Sequence, residues 1–194
     1  IEFGDTKALF DVSILMSHPT FNIIHKGHVD RKWSLEYAQA EWQWYLSGDN
    51  NIKKLGEIYG KIPEIWKRMA DDYGYVNSNY GYQWQRTDWH NVSQFEKIIE
   101  MLKKDPNTRQ AAISIYDGKE INKYEHDTPC TYAVQFTVVN GCINMSVLMR
   151  SNDLWYGFCN DQYQFSNLQM LVAQKTGYEV GTYHHYAHNM HLYK

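Results

Sequence analysis

Apolar side chains recur at helical spacing along residues 31–46, at Trp33, Tyr37, Ala40, Trp44 and Tyr45, and Gly48 follows as a stop. Pro63 is suited to open a second helix, which continues through Ile65, Trp66 and Met69 toward Gly74. A third predicted helix starts near Ser93, carries Phe95, Ile98, Ile99 and Leu102, and stops before Asp105-Pro106. The pattern then changes. Residues 111–116 read as a strand, and residues 131–139 and 142–149 as two more, joined by Asn140-Gly141. Asn-Gly between two β-rich runs predicts a tight hairpin, because both residues tolerate the positive φ of a type I′ turn. Residues 161–175 return to helical spacing through Phe165, Leu168, Leu171 and Val172, with Gly177 beyond, and residues 181–188 read as a last strand. Helices flanking a largely antiparallel sheet make the fold class α+β. No linker, low-complexity tract or repeat interrupts the pattern, so residues 1–194 are expected to form one domain.

With 194 residues, 43% of them hydrophobic, the chain is long enough to bury a sizeable core. Nineteen basic against 22 acidic residues argue against a broad electrostatic grip on nucleic acid, while leaving room for a phosphate site built from a few arginines. Aromatic residues make up 15% of the chain, which suits a pocket for flat ligands, although composition alone favours the plainer reading of a rigid core and a subunit interface. Three cysteines, Cys130, Cys142 and Cys159, are too few for a secreted disulfide scaffold, so a reducing, cytoplasmic setting is expected. No apolar run approaches the ~20 residues of a membrane span, and the first residues do not form a signal peptide. The missing initiator Met and the abrupt end at Lys194 point to incomplete termini.

The hairpin carries chemistry to one place. With Val139 opposite Cys142, counting outward puts Cys130 opposite Ser151 and beside Arg150, with opposed Cα atoms ~5 Å apart. A cation beside a thiol favours the nucleophilic thiolate, and Arg with Ser suits a phosphate. Asn152, Asp153, Asn160 and Asp161 follow within about a dozen residues. Each has a plainer reading: Cys130 as an inert buried thiol, Arg150 as a surface charge, Asp161 as a helix cap. Their convergence through one register points to an activated-thiol site.

These residues also resemble a known family. Thr128-Pro129-Cys130, Arg150-Ser151-Asn152-Asp153 and Gly157-Phe158-Cys159-Asn160-Asp161 are similar in order and spacing to the thymidylate synthase superfamily. So are Glu41-Trp42-Gln43-Trp44-Tyr45-Leu46-Ser47-Gly48-Asp49, Asn79-Tyr80-Gly81-Tyr82-Gln83-Trp84 and His191-Leu192-Tyr193, and the likeness spans residues 35–194. The resemblance implies a mixed, largely antiparallel sheet whose open face makes a homodimer. It also implies 5,10-methylenetetrahydrofolate as co-substrate, and a covalent adduct between Cys130 and C6 of a pyrimidine nucleotide. Glu41 would move protons at N3 and N4 and order a water, with Tyr80 hydrogen-bonding nearby. Arg150, Ser151, Asn160, Asp161, His191 and Tyr193 would hold the nucleotide, joined at its phosphate by the partner subunit's Arg109. Asp153 and Trp66 would face the pterin.

Departures from that pattern select a branch. Thr131 follows the cysteine where thymidylate synthases have His, Met149 precedes Arg150 where they have Gln, and Asp161 stands at the pyrimidine-reading Asn. All three are similar to bacteriophage deoxycytidylate hydroxymethylases. Uracil offers an N3 donor and an O4 acceptor, whereas cytosine offers an N4 donor and a bare N3, which a carboxyl group with a proton complements. The expected product is therefore 5-hydroxymethyl-dCMP with tetrahydrofolate. The rivals are a dCMP methyltransferase ending in hydride transfer, a CMP-specific hydroxymethylase, and a nucleotide-binding module without turnover. Gln110 stands where a second cross-subunit arginine is usual, and no N-terminal phosphate arginine can be picked out among residues 20–32. His184 and His188 would share a helix face as zinc ligands, but their surroundings favour a strand and no metal is expected.

Overall fold

A computed structural model describes residues 4–20, 33–88 and 90–194 of the chain. Strand β1 (Thr6–Met16) precedes helices α1 (Leu35–Ser47), α2 (Ile52–Tyr59), α3 (Glu64–Met69), α4 (Tyr80–Gln85) and α5 (Gln94–Lys104). Strand β2 (Ala112–Ser114) follows, then a 3-10 turn (Gly118–Lys123), β3 (Thr131–Val139), β4 (Cys142–Met149), β5 (Asn152–Asp153), α6 (Gly157–Thr176) and β6 (Glu179–Tyr193). The sheet runs β1-β6-β4-β3-β2, with β5 also paired to β6. It is mixed: β6 runs parallel to β4 and β5, and the other pairs are antiparallel.

One face of the sheet is dry. Val134, Phe136, Ile143, Met145, Val147, Tyr183 and Ala187 point inward to meet Phe165, Leu168 and Val172 of α6, and all are buried. The alternation along β3 and β4 leaves Tyr132 and Leu148 exposed on the other face. Helix α1 buries Ala38, Glu41, Trp44 and Tyr45 at helical spacing. Its ends are fixed by the Ser34 side chain, which accepts from Tyr37 N–H, and by Gly48 in the left-handed region. Gly81 of α4 lies against the α1 backbone so closely that a Cβ there would sit 2.1 Å from the Tyr45 carbonyl oxygen. This approach sets where Tyr80 stands.

The hairpin forms as its sequence predicts, with Asn140 at φ 50° and Gly141 at φ 76°, and Val139 opposite Cys142. The register holds only as far as Ala133 opposite Leu148. A bulge at Tyr132 then brings Thr131 opposite Met149, so Cys130 faces Arg150 rather than Ser151, and Arg150 N–H donates to the Cys130 carbonyl at 2.8 Å. Tyr132 can bulge because its carbonyl is taken by the backbone N–H groups of Ile115 and Tyr116.

Other boundaries differ too. The Pro63 helix ends at Met69, not near Gly74, because the chain turns out of helical geometry at Ala70. Helix α6 starts at Gly157, four residues before its expected start, so Asp161 lies inside the helix and does not cap it. The last strand extends to Tyr193 and carries His191 and Tyr193. Strand β1 and helices α2 and α4 have no counterpart in the sequence reading. The start of the first predicted helix, before Trp33, lies outside the described residues.

The contact at Gly81 gives a direct test. Gly81→Ala should lower unfolding stability by about 3 kcal/mol, since the neighbouring atoms are backbone and cannot swing away. Urea denaturation reads this, and an unchanged midpoint would show that α1 and α4 are not pinned there.

Candidate active site

Three elements bring the site together: the β3–β4 end carrying Cys130 and Arg150, the first turn and a half of α6 carrying Asn160 and Asp161, and the inner face of α1 carrying Glu41. Arg150 holds the cysteine strand in place. Its Nε donates to the Pro129 carbonyl at 3.0 Å and its Nη2 to the Thr128 carbonyl at 2.8 Å, and Nη2 also lies 3.6 Å from Cys130 Sγ. The expected lowering of the thiol pKa does not prevail. Arg150 pulls it down, but loss of water around Cys130 dominates, and Asp161 and Asp127 add to it, so the thiol is pushed up to about 11.

Glu41 is buried and fully engaged. Tyr37 donates its hydroxyl proton to Oε1 at 2.5 Å, and Gln164 donates from Nε2 to Oε2 at 2.9 Å. Behind Tyr37, the Trp66 indole N–H donates to the Tyr37 oxygen at 2.7 Å, and Trp66 packs edge-on against Trp44. Both hydrogen bonds favour the charged carboxylate, yet burial outweighs them and raises Glu41 to about 7. Asp161 is raised to about 8, first by burial and then by Glu41, against one hydrogen bond from Asn152 Nδ2 to Oδ2 at 2.7 Å. Near pH 7 the pair therefore retains protons that ordinary carboxylates would have lost.

Tyr80 is buried, stacks on Phe165 with ring centroids 5.5 Å apart, and lies within electrostatic reach of both Asp161 and Cys130. His191 sits beside Asp153 through the β5–β6 pairing, and its ring meets Tyr193 edge-on at 5.0 Å. The Tyr193 phenol is raised by burial, Asp153 and Cys130, which places it toward the same space. Ser151 is half-buried just after β4. Asn160 is already held, its Oδ1 accepting from the Trp33 indole at 2.8 Å. Asp153 accepts the backbone N–H groups of Trp155, Tyr156 and Gly157, so its carboxylate secures the start of α6. Arg109 stands apart on an exposed turn between α5 and β2 and joins none of these contacts. Residues 21–32, most of the stretch searched for a phosphate arginine, lie outside the described residues. His184 and His188 are both on β6, and among the described residues no group of three or more His, Cys, Asp or Glu could hold a metal ion.

Several site residues escaped the sequence reading. Tyr37 and Gln164 serve Glu41, and Asp127, buried with Ser78 donating from both its backbone and its hydroxyl, lies within electrostatic reach of Cys130. Tyr37 is one turn before Glu41, and Gln164 three residues after Asp161; that spacing was the available signal. His185 and Tyr183 gave none, since a polar pair on the dry face of a strand is visible only once the strand is packed.

The raised acid has a consequence for stability. Between its ordinary 4.5 and about 7, Glu41 keeps its proton in the folded protein while the unfolded chain releases it. The unfolded state then binds fewer protons, so this group's contribution falls as pH rises through that window. Glu41→Gln should remove the component. Unfolding free energies at about pH 5 and about pH 7.5 should show the natural protein losing stability relative to the variant, and a constant difference would mean that Glu41 titrates normally.

The thymidylate synthase family model matches residues 15–194. The structure superposes on the crystal structure of thymidylate synthase from T4 phage with a TM-score of 0.81 and 26% sequence identity, covering 97% of this chain and 68% of that one. Against the thermostable thymidylate synthase A of Bacillus subtilis the values are 0.80, 25%, 97% and 66%. The chain thus spans about two thirds of the length of each. Nearly the whole chain is matched in sequence and in fold, and it belongs to the thymidylate synthase family.

Proposed function

We propose that this protein transfers a one-carbon unit from 5,10-methylenetetrahydrofolate to C5 of a cytidine monophosphate, with dCMP as the first substrate to test, and that water completes the product as 5-hydroxymethyl-dCMP. One observation carries the cytosine reading. Asp161 is held up to about 8, so near pH 7 its carboxyl offers a proton to N3 and an acceptor to N4. A uracil edge presents the reverse pattern and would leave polar groups unpaired.

In this reading Cys130 gives up its thiol proton as its sulfur bonds to C6, and the electron pair passes to C5, which bonds to the one-carbon unit. Loss of the C5 proton expels tetrahydrofolate and leaves an exocyclic methylene, water adds to that methylene, and the electron pair thus returned to C5 expels the Cys130 thiolate and restores the C5–C6 double bond. Glu41, raised to about 7, takes and returns protons near neutrality, and Tyr37 and Gln164 keep its carboxyl fixed for that task. Arg150 retains Nη1 for the phosphate beside Ser151, while His191 and Tyr193 face the sugar. On the folate side, Trp66 and Asp153 supply a ring and a carboxylate whose positions are locked by their own hydrogen bonds. Thr131 and Met149, in place of His and Gln, favour hydration over hydride transfer. The three cysteines are free, as a reducing cytoplasm would leave them.

The assembly proposed is a homodimer through the sheet face opposite α6, where Tyr132, Leu148 and Leu15 are exposed. The partner subunit's Arg109 would then complete the phosphate site.

Mass spectrometry of the products from dCMP and methylenetetrahydrofolate tests the reaction. 5-Hydroxymethyl-dCMP with tetrahydrofolate is expected. Methyl-dCMP with dihydrofolate would keep the site and overturn the final step, and binding without turnover would leave only a nucleotide-binding protein. Asp161→Asn should move preference from dCMP toward dUMP by about a hundredfold or more in relative kcat/KM. An unchanged ratio would remove Asp161 from base reading.

A further inference from the structure

Behind Asp161 runs a line of polar side chains in an otherwise apolar layer. Tyr183 and His185 are alternate residues on the inner face of β6, and both are fully buried. The Tyr183 hydroxyl lies 2.7 Å from His185 Nδ1, and His185 Nε2 lies 2.9 Å from Asn152 Oδ1. Asn152 then donates from Nδ2 to Asp161 Oδ2 at 2.7 Å. The Phe158 ring sits edge-on to the imidazole at 4.9 Å, walling the line off from the other side. Apolar side chains would fill this layer at less desolvation cost, so the polar line calls for another reason.

We propose that Tyr183, His185 and Asn152 are positioning residues whose hydrogen-bond direction fixes Asp161 Oδ2 as an acceptor and thereby selects cytosine over uracil. This rests on the reading that Asp161 meets the base edge. The direction follows from counting protons. Burial, with His184 nearby, pushes His185 down to about 3, so the imidazole is neutral and has one N–H. Donation from Tyr183 to Nδ1, from Nε2 to Asn152 Oδ1 and from Asn152 to Asp161 Oδ2 satisfies every member. The reverse order needs a flipped amide and a proton on Oδ2, and it makes Tyr183 accept from Nδ1. The Tyr183 proton would then have no acceptor among the described residues, a costly loss at a buried site.

With Oδ2 fixed as acceptor, the proton of Asp161 resides on Oδ1. The charged groups acting on this carboxyl are Glu41 and Asp153, and both favour keeping that proton. The second lone pair of Oδ2 can accept from a cytosine N4 amino group while Oδ1–H donates to N3. Uracil needs a donor where Oδ2 stands and an acceptor at Oδ1, which would put the proton on Oδ2 and leave Asn152 donating to a hydroxyl oxygen, a weaker acceptor than a carbonyl oxygen, so the line disfavours it.

The test is the ratio of kcat/KM for dCMP and dUMP in the full-length protein, measured for Tyr183→Phe, His185→Phe and His185→Gln. The two Phe variants should lower the ratio about tenfold or more, and the Gln variant, which keeps one donor and one acceptor, should restore most of it. KM for methylenetetrahydrofolate should not move. Equal losses on both nucleotides with an unchanged ratio would mean that the line only supports the fold. A preference of the natural protein for dUMP would instead overturn the cytosine reading and the direction assigned with it. Nitrogen-15 NMR of the natural protein gives a measurement that needs no variant. His185 should be the neutral Nε2–H tautomer at pH 7, and an Nδ1–H tautomer or an imidazolium would overturn the proposal.

Discussion

Glu41 on α1 and Asp161 on α6 are carried by separate helices into the same poorly hydrated space, and the arrangement around them follows from that constraint. Neither carboxyl could sit there charged and unpartnered without a large desolvation cost. The protein answers with hydrogen-bond donors from rigid elements: Tyr37 and Gln164 for Glu41, and Asn152 for Asp161. Even so, burial prevails, and both groups titrate near neutrality rather than near 4. The same loss of water acts on Cys130, where it exceeds the pull of Arg150. The two carboxyls are thereby displaced toward neutrality, where a group can both take and give a proton, whereas the thiol is displaced away from it and forms its thiolate less readily.

This electrostatic setting depends on packing that looks unrelated to chemistry. The absence of a Cβ at Gly81 lets α4 press on α1, which places Tyr80 against Phe165. The bulge at Tyr132 turns the end of β3 so that Cys130 faces Arg150. Asp153 takes three backbone N–H groups at the start of α6 and so fixes the helix on which Asp161 rides. The site is therefore preorganised by backbone contacts on three sides, and its side chains are locked by neighbours rather than by one another.

Much of this was legible along the chain. The Asn140-Gly141 hairpin, its two strands and their register near the turn follow from turn chemistry and alternation, and the structure keeps them. Helices α1 and α5 carried strong apolar periodicity and cap residues. What failed to show had weak local signals. Helix α4 has six residues, and its Tyr, Gly and Gln positions do not make a periodic stripe. Strand β1 is exposed along most of its length and so lacks alternation. The start of α6 was hidden because Gly157, Cys159 and Asn160 are poor helix formers, held in helical geometry by Asp153 and by packing against β6.

The sequence by itself determined the α+β class, the hairpin, and the set of reactive residue types at family-like spacing, because these depend on neighbours within a few positions or on ordered motifs. Tertiary structure decided the rest. Whether Cys130 is an easily formed thiolate, whether Asp161 carries a proton, and which way a buried histidine points its N–H all depend on how much water remains and which distant groups stand near. The bulge at Tyr132, one extra residue in one strand, changed the partner of Cys130 from Ser151 to Arg150. Local patterns specify elements; burial and close approach, which only the folded chain produces, set the charge states on which the chemistry runs.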